Sequence, residues 1–290
     1  MSLKNELITI AHNGNGSFKT RSDRETIVTR FSDRLQNELN IQVRTVEQIK
    51  VKYVEAYIAL RLTEGISQRT LQNEMSALRS VLTASGRNEF VSQERLSNKS
   101  LGLAGASREG TKTAIKADKF QSVIAAAIGR DKGVAACIQL CRQIGLRSEE
   151  SVQASKSLTT WARNISEAKS IRVIFGTKTG RPRDVAILPS QRDKIVEAIK
   201  FASRVASENG GKLIDKPNLK SAMDRFHNEA RAVGLVGANA PHSLRYAFAR
   251  DQLQAYLSNG YTYKESLALV SCDLGHGDGR GDYVKHVYLK

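Results

Sequence analysis

In the stretch APHSLRYAFARDQLQAYLSNG, His242 and Arg245 stand three residues apart at the start of a helical pattern. Positions i and i+3 share a helix face, so the imidazole and the guanidinium point the same way. A helix N-terminus already favours negative charge, and two further donors there suit an anion. Alone, a surface histidine beside a solvated arginine is the plainer reading, so partners matter. QIGLRSEE places Arg147 after a glycine that ends a helix, with Glu150 three residues on. Lys178 stands in the turn of SIRVIFGTKTGRPRDVAILP, and DLGHGDGRGDYVKHVYLK adds His276, Tyr283 and Tyr288. Each has a duller alternative. Arg147 and Glu150 fit an exposed ion pair worth little, Lys178 with Arg181 and Arg183 fits a solvated basic tip, and His276 fits an ordinary turn. As a set they match phosphoryl transfer without a metal. Arginines hold non-bridging oxygens and stabilise developing charge, Lys or His moves protons, and Tyr can be the covalent nucleophile.

These residues need elements to position them. Residues 1–20 read as a loose polar arm. From Arg21 to about Gly86 the pattern is helical, with Leu71, Met75, Leu78 and Leu82 on one stripe, Ser67 as N-cap and Gly86 as stop. Val54, Tyr57, Ile58 and Leu62 form a second stripe. SNKSLGLAGASREGTKTA is rich in Gly, Ser and charge and marks a linker near residues 98–114. Further on, Phe120–Ile144 predicts one or two helices broken around GRDKG. Helical patterns follow at Gln191–Asn209, Asn218–Val233, Ser243–Ser258 and Tyr263–Ser271. Ile171–Phe175 and Val185–Leu188 flank a cationic turn and predict a β-hairpin.

Composition narrows the partner. The 290 residues carry 45 Lys and Arg against 29 Asp and Glu, a net charge of +16, with a pI near 9.9. Residues 1–110 hold 16 basic and 12 acidic side chains and residues 111–290 hold 29 and 17, so one polyanion could touch both parts. Nucleic acid is the first candidate and an acidic membrane surface the second. No run of apolar residues is long enough for a span, and the N-terminus lacks a secretion-signal pattern. Cys137, Cys141 and Cys272 are an odd set of three, which suggests reduced thiols. Cys137 and Cys141 lie on an apolar helical pattern and read as core, not as metal ligands. GHGDGRG lacks the context of a dinucleotide site, and no GxxxxGK[ST] loop is present.

GLRSEE (Gly145 to Glu150), TKTGRPR (Thr177 to Arg183), PHSLRYAFA (Pro241 to Ala249) and LGHGD (Leu274 to Asp278), followed by a tyrosine, stand in an order that resembles the tyrosine recombinases of the phage-integrase type. The resemblance covers most of the chain, and SQRTLQNEMSALRSVL is similar to a helix of the family's core-binding domain. It implies a mainly α fold with a small β-hairpin: a flexible arm at 1–20, a helical core-binding (SAM-like) domain at 21–105, a linker at 106–114 and a catalytic domain at 115–290. It also implies a site-specific recombinase that cuts and rejoins DNA through a 3′-phosphotyrosyl link, with no cofactor and no metal. Arg147 and Arg245 would clamp the phosphate, and Lys178 would protonate the leaving 5′-oxygen. His242 would assist proton transfer, His276 would hydrogen-bond a phosphate oxygen, and Glu150 would orient the site. The nucleophile would be Tyr288, with Tyr283 as runner-up. The family's tyrosine usually follows Leu-Gly-His by about nine residues, whereas these two lie seven and twelve residues after His276. The implied partner is double-stranded DNA, bound as a homotetramer on synapsed sites by a chain that is a monomer or weak dimer when free. No membrane partner is implied, and the expected location is cytoplasmic and nucleoid-associated. Two residues follow Tyr288, where many relatives carry a helix that packs on a neighbouring protomer. Two other readings stay open, an inactive DNA-binding regulator on the same scaffold and a type IB topoisomerase-like relaxing enzyme.

Overall fold

A computed structural model describes every residue except Met1, Arg108, Ser166, Ala168 and Lys290. The chain divides into two units, Met1–Arg108 and Glu109–Lys290. None of the described helices is long and apolar enough to cross a membrane.

The first unit is helical: α1 (Leu3–Asn13), α2 (Phe18–Asn37), α3 (Val51–Thr63), α4 (Gln68–Ala84) and the short α5 (Asn88–Val91). The expected loose arm is corrected here. Leu3, Leu7 and Ala11 recur at i, i+4 and i+8, all three are buried, and Ser2 caps the helix they form. Only the stretch around Gly14 and Gly16 interrupts it before Ser17 caps α2. Ser67 caps α4 by accepting from the Thr70 amide at 3.2 Å, and Gly86 follows that helix at φ 87°. Leu71, Met75, Leu78 and Leu82 are buried as their spacing requires. In α3, however, Leu62 is 37% exposed and Arg61 takes the inward place. The reason is a buried carboxylate on α4. Glu74 accepts from Arg61 Nη2 at 2.9 Å, Tyr57 Oη at 2.7 Å and Arg30 Nη1 at 2.7 Å. A buried charge is tolerated only when paired and hydrogen-bonded in this way. Leu101 and Leu103 are buried in this same core, so part of the Gly/Ser-rich stretch is folded chain.

The second unit is built around α7 (Lys132–Gln143), which is buried along most of its length. Asp131 separates it from α6 (Ala117–Arg130) and caps it by accepting from the Val134 amide at 3.0 Å. Cys137 and Cys141 are buried in this core, where burial raises both thiols. Then come α8 (Ser148–Val152), α9 (Leu158–Asn164) and the two-stranded antiparallel sheet of β1 (Ser170–Val173) and β2 (Arg183–Ala186), in the register Ser170 to Ala186 and Val173 to Arg183. The helices α10 (Arg192–Glu208), α11 (Leu219–Ala232), α12 (His242–Ser258), α13 (Tyr263–Asp273) and α14 (Gly281–Tyr288) complete it.

Candidate active site

The residues that could do chemistry come from six places in the second unit. Gly145, at φ 66°, turns the chain after α7, and Arg147 precedes α8. Phe248 fixes that glycine from behind, since a Cβ at position 145 would lie 2.4 Å from the Phe248 ring. The helix α8 presents Glu150, and the β1–β2 turn carries Lys178. The first turn of α12 gives His242 and Arg245. Past the end of α13, Gly275 at φ 68° delivers His276, and α14 carries both Tyr283 and Tyr288.

Three arginines meet beneath the site, and each pair of them shares one acceptor. Glu150 Oε1 accepts from Arg147 Nη1 at 2.6 Å and from Arg183 Nη1, and Glu150 Oε2 accepts from Arg183 Nη2 at 2.8 Å. The Gly145 carbonyl accepts from Arg183 Nη2 at 3.3 Å and from Arg245 Nη1. The Leu274 carbonyl accepts from Arg147 Nη2 at 3.2 Å and from Arg245 Nη2. The result is a closed ring of three guanidiniums and three acceptors. Arg245 is 1% exposed, and its Nε–H has no partner among the described residues. Arg147 is half-buried. Of five N–H donors per guanidinium, Arg147 and Arg245 each spend two on the ring, and the other three on each have no hydrogen-bond partner among the described residues.

The electrostatics follow. Burial pushes Arg245 down to about 10, with Arg183 and Arg147 adding to the effect and Tyr288 and Glu150 opposing it. Burial alone would raise Glu150, but its bonds to Arg183 and the charges of Arg183, Arg147 and Arg245 hold it at about 2. Partial withdrawal from water, then repulsion from Arg245, Arg147 and Lys112, takes His242 down to about 4, although its outer edge stays exposed. The same two causes take His276 to about 3. Both imidazoles are therefore neutral near pH 7 and able to accept a proton.

Tyr288 is 2% exposed, and its Oη lies 3.1 Å from His276 Nε2 and 3.4 Å from His242 Nε2. Val284 and Val287 are buried and seat α14 on the core. The Tyr246 ring packs 4.7 Å from that of Tyr288 and 5.5 Å from that of His242. Gly110 closes this side, for a Cβ there would lie 2.0 Å from the Val287 carbonyl and 2.5 Å from Tyr246 Oη. Tyr283 is 39% exposed and meets His276 edge-on at 4.9 Å. Both tyrosines stand on one helix, so the glycine loop does not by itself deliver Tyr283.

The structure thus brings together Arg147, Glu150, His242, Arg245, His276 and Tyr288. It puts His276 against the phenol as closely as His242. Lys178 is exposed on the turn and makes no hydrogen bond or ion pair with this group among the described residues. The shoulder of its turn is nevertheless fixed, since a Cβ at Gly176 would lie 2.7 Å from the Glu149 carbonyl oxygen. Sequence reasoning missed Arg183. It read as a solvated tip residue, yet it begins β2 with its guanidinium buried. Its alternation with Val185, two residues on, was the available signal, because both point to one face of a strand. Asp273 was missed as well. It accepts from the Ala186 amide at 2.9 Å, Gln252 Nε2 at 2.8 Å and Tyr256 Oη at 2.9 Å. Burial outweighs those bonds and raises its carboxyl to about 6.

Two family models match the chain, that of the integrase over residues 102–251 and that of the phage integrase N-terminal region over residues 1–91. None of the curated proteins shows detectable similarity to it. Among solved structures, the Tn1549 transposon integrase in complex with transposon right end DNA is 14% identical, with a TM-score of 0.63 over 98% of this chain and 94% of that one. A lambda integrase tetramer bound to a Holliday junction is 16% identical, with a TM-score of 0.62 over 96% and 75%. A lambda integrase dimer bound to a COC′ core site is 16% identical, with a TM-score of 0.62 over 98% and 95%. At these identities the likeness is one of fold.

Proposed function

The chain belongs to the phage-integrase family of tyrosine recombinases, and from that premise we propose how its residues divide the work of cutting and rejoining DNA at specific sites. Tyr288 Oη attacks the scissile phosphorus while its proton passes to the neutral imidazole of His276 or His242. Arg147 and Arg245 hold the non-bridging oxygens with the donors that the ring leaves free, and they stabilise the charge of the pentacoordinate state. The P–O5′ bond breaks, and Lys178, brought in by its turn, protonates the departing oxygen. The products are a 3′-phosphotyrosyl ester and a free 5′-hydroxyl. A partner strand's 5′-hydroxyl then attacks the ester and gives its proton to Lys178, while the histidine returns its proton to Tyr288 as the phosphotyrosyl bond breaks. One phosphoester replaces another, so no ATP enters the balance.

One observation carries this reading: the phenol of a buried tyrosine lies within 3.4 Å of two histidine nitrogens in a site backed by three guanidiniums. The partner is duplex DNA, and we infer a tetramer on synapsed duplexes, acting at the nucleoid. The lambda integrase tetramer on a Holliday junction supports that stoichiometry by analogy of fold. The experiment is covalent trapping from a pool of nicked duplexes with randomised arms. The nick lets the short 5′-hydroxyl strand diffuse away and leaves the protein attached. Sequencing the trapped DNA gives the site, and peptide mapping gives the residue. Failure to trap any duplex would refute the reading, and a link at Tyr283 would reassign the nucleophile. An inactive regulator would bind without trapping. A relaxing enzyme would trap but would not join strands from two DNA molecules.

A further inference from the structure

Arg183 is buried more deeply than Arg147 and nearly as deeply as Arg245, yet the proposed reaction gives it no part. Its Nε donates to the Asp273 carbonyl at 2.8 Å, Nη2 reaches both Glu150 and the Gly145 carbonyl, and Nη1 completes a two-pronged pairing with Glu150. Its stem crosses the turn that delivers His276, since a Cβ at Gly275 would lie 2.7 Å from Arg183 Cδ. One side chain on β2 therefore touches the Gly145 turn, α8 and the end of α13.

Resting on the function proposed above, we propose that Arg183 is a positioning residue that keeps Arg147 available to the scissile phosphate. Glu150 is buried and ionised, and a carboxylate in that state draws any guanidinium within reach into parallel, two-pronged pairing. Arg183 already fills that role. Arg147 is left with one side-chain bond to Glu150 and one to the Leu274 carbonyl, and its outer donors stay free. Without Arg183, Glu150 competes with the phosphate for Arg147 and pulls it inward. The Gly145 carbonyl also loses a donor and leans more heavily on Arg245. Arg183 further ties the hairpin that carries Lys178 to the turn that carries His276, so the acid and the phosphate clamp share one anchor.

The test uses Arg183→Lys in the full chain, on a nicked duplex recovered by the trapping experiment. Lysine keeps the charge and the stem but cannot form the planar fork. Circular dichroism and duplex affinity should stay close to those of the parent protein. Single-turnover cleavage should fall by about 100-fold, the loss expected when a reacting group is misplaced by about an ångström. On a duplex whose scissile phosphate is an uncharged methylphosphonate, the guanidiniums have less charge to oppose, and the same variant should lose less than about tenfold. A merely structural defect would slow both substrates alike. Parent-like cleavage of the phosphate, or equal losses on both substrates, would overturn the proposal. Should Arg183→Lys fail to fold, Arg183→Gln, which also leaves the Glu150 carboxylate to Arg147, gives the same two-substrate comparison, and collapse of both variants would assign Arg183 to stability alone. Failure of the parent protein to form any adduct would instead refute the proposed function.

Discussion

Tyr288 and the two imidazoles beside it set the tests at the scale of single residues. Tyr288→Phe removes the nucleophilic oxygen and leaves the buried ring in place. The expected outcome is unchanged duplex affinity by gel shift with complete loss of the covalent adduct, while Tyr283→Phe still forms it. The arginines will not behave alike. Arg147→Ala removes a half-exposed side chain and should cost at least about 100-fold in cleavage with little change in melting temperature. Arg245→Ala also strips a donor from each of two buried carbonyls, so it should lower the melting temperature as well, by several degrees for a loss of about 1–3 kcal/mol. The histidines predict a pH dependence of stability. Their folded values, about 4 for His242 and about 3 for His276, lie below the ordinary histidine range. The unfolded chain then binds more protons below about pH 6.5, so stability rises with pH up to that point and falls as pH drops towards 4. Asp273, held at about 6, works in the opposite sense, because its proton is bound more tightly in the folded chain. Two histidines outweigh one carboxyl. Melting temperature should therefore fall between pH 6.5 and 4, and less steeply in His276→Gln, which has no imidazole to protonate.

At the scale of elements, the β1–β2 turn and the segment around Gly110 position groups they do not themselves supply. The exposed Lys178 on a turn with a fixed shoulder predicts a role in leaving-group protonation that chemistry can bypass. Lys178→Ala should slow cleavage, and a substrate with a 5′-thiolate leaving group should restore it, since a thiolate needs no proton to depart. A persistent defect on that substrate would remove Lys178 from the role. Gly110→Ala should push on the last turn of α14, where no space exists for a Cβ, and depress cleavage more than binding. Much of this architecture was legible locally. The cap at Ser67, the break around GRDKG, the stripe from Leu71 to Leu82 and the two β-branched runs each announce an element within a few residues. His242 and Arg245 were legible as a pair because one helical turn joins them. What stayed hidden depends on distant chain. Leu3, Leu7 and Ala11 were obscured by polar neighbours until α2 gave them a surface to cover. Arg183 read as solvated, and Arg61 drew no notice, because nothing near them in sequence shows the buried carboxylates, Glu150 and Glu74, that they meet.

For the whole molecule, the charge of +16 is the property that DNA reads first. Duplex affinity should fall steeply with salt, by about 1000-fold or more between 50 and 200 mM if six or more phosphates are contacted. An affinity that held steady across that range would contradict phosphate-led binding. The ring of arginines has a consequence of another kind. Two of its three acceptors, at Gly145 and Leu274, are main-chain oxygens. No codon change can delete them, and they are lost only if the backbone takes another path. That path depends on two left-handed glycines, Gly145 and Gly275, each with another side chain pressed against the place where a Cβ would be. The heritable information for the clamp is thus divided unequally. Glu150 is the only acceptor that a point mutation can erase directly, while the two glycine codons, which encode no functional group at all, carry as much of the site's inheritance as the arginines they serve.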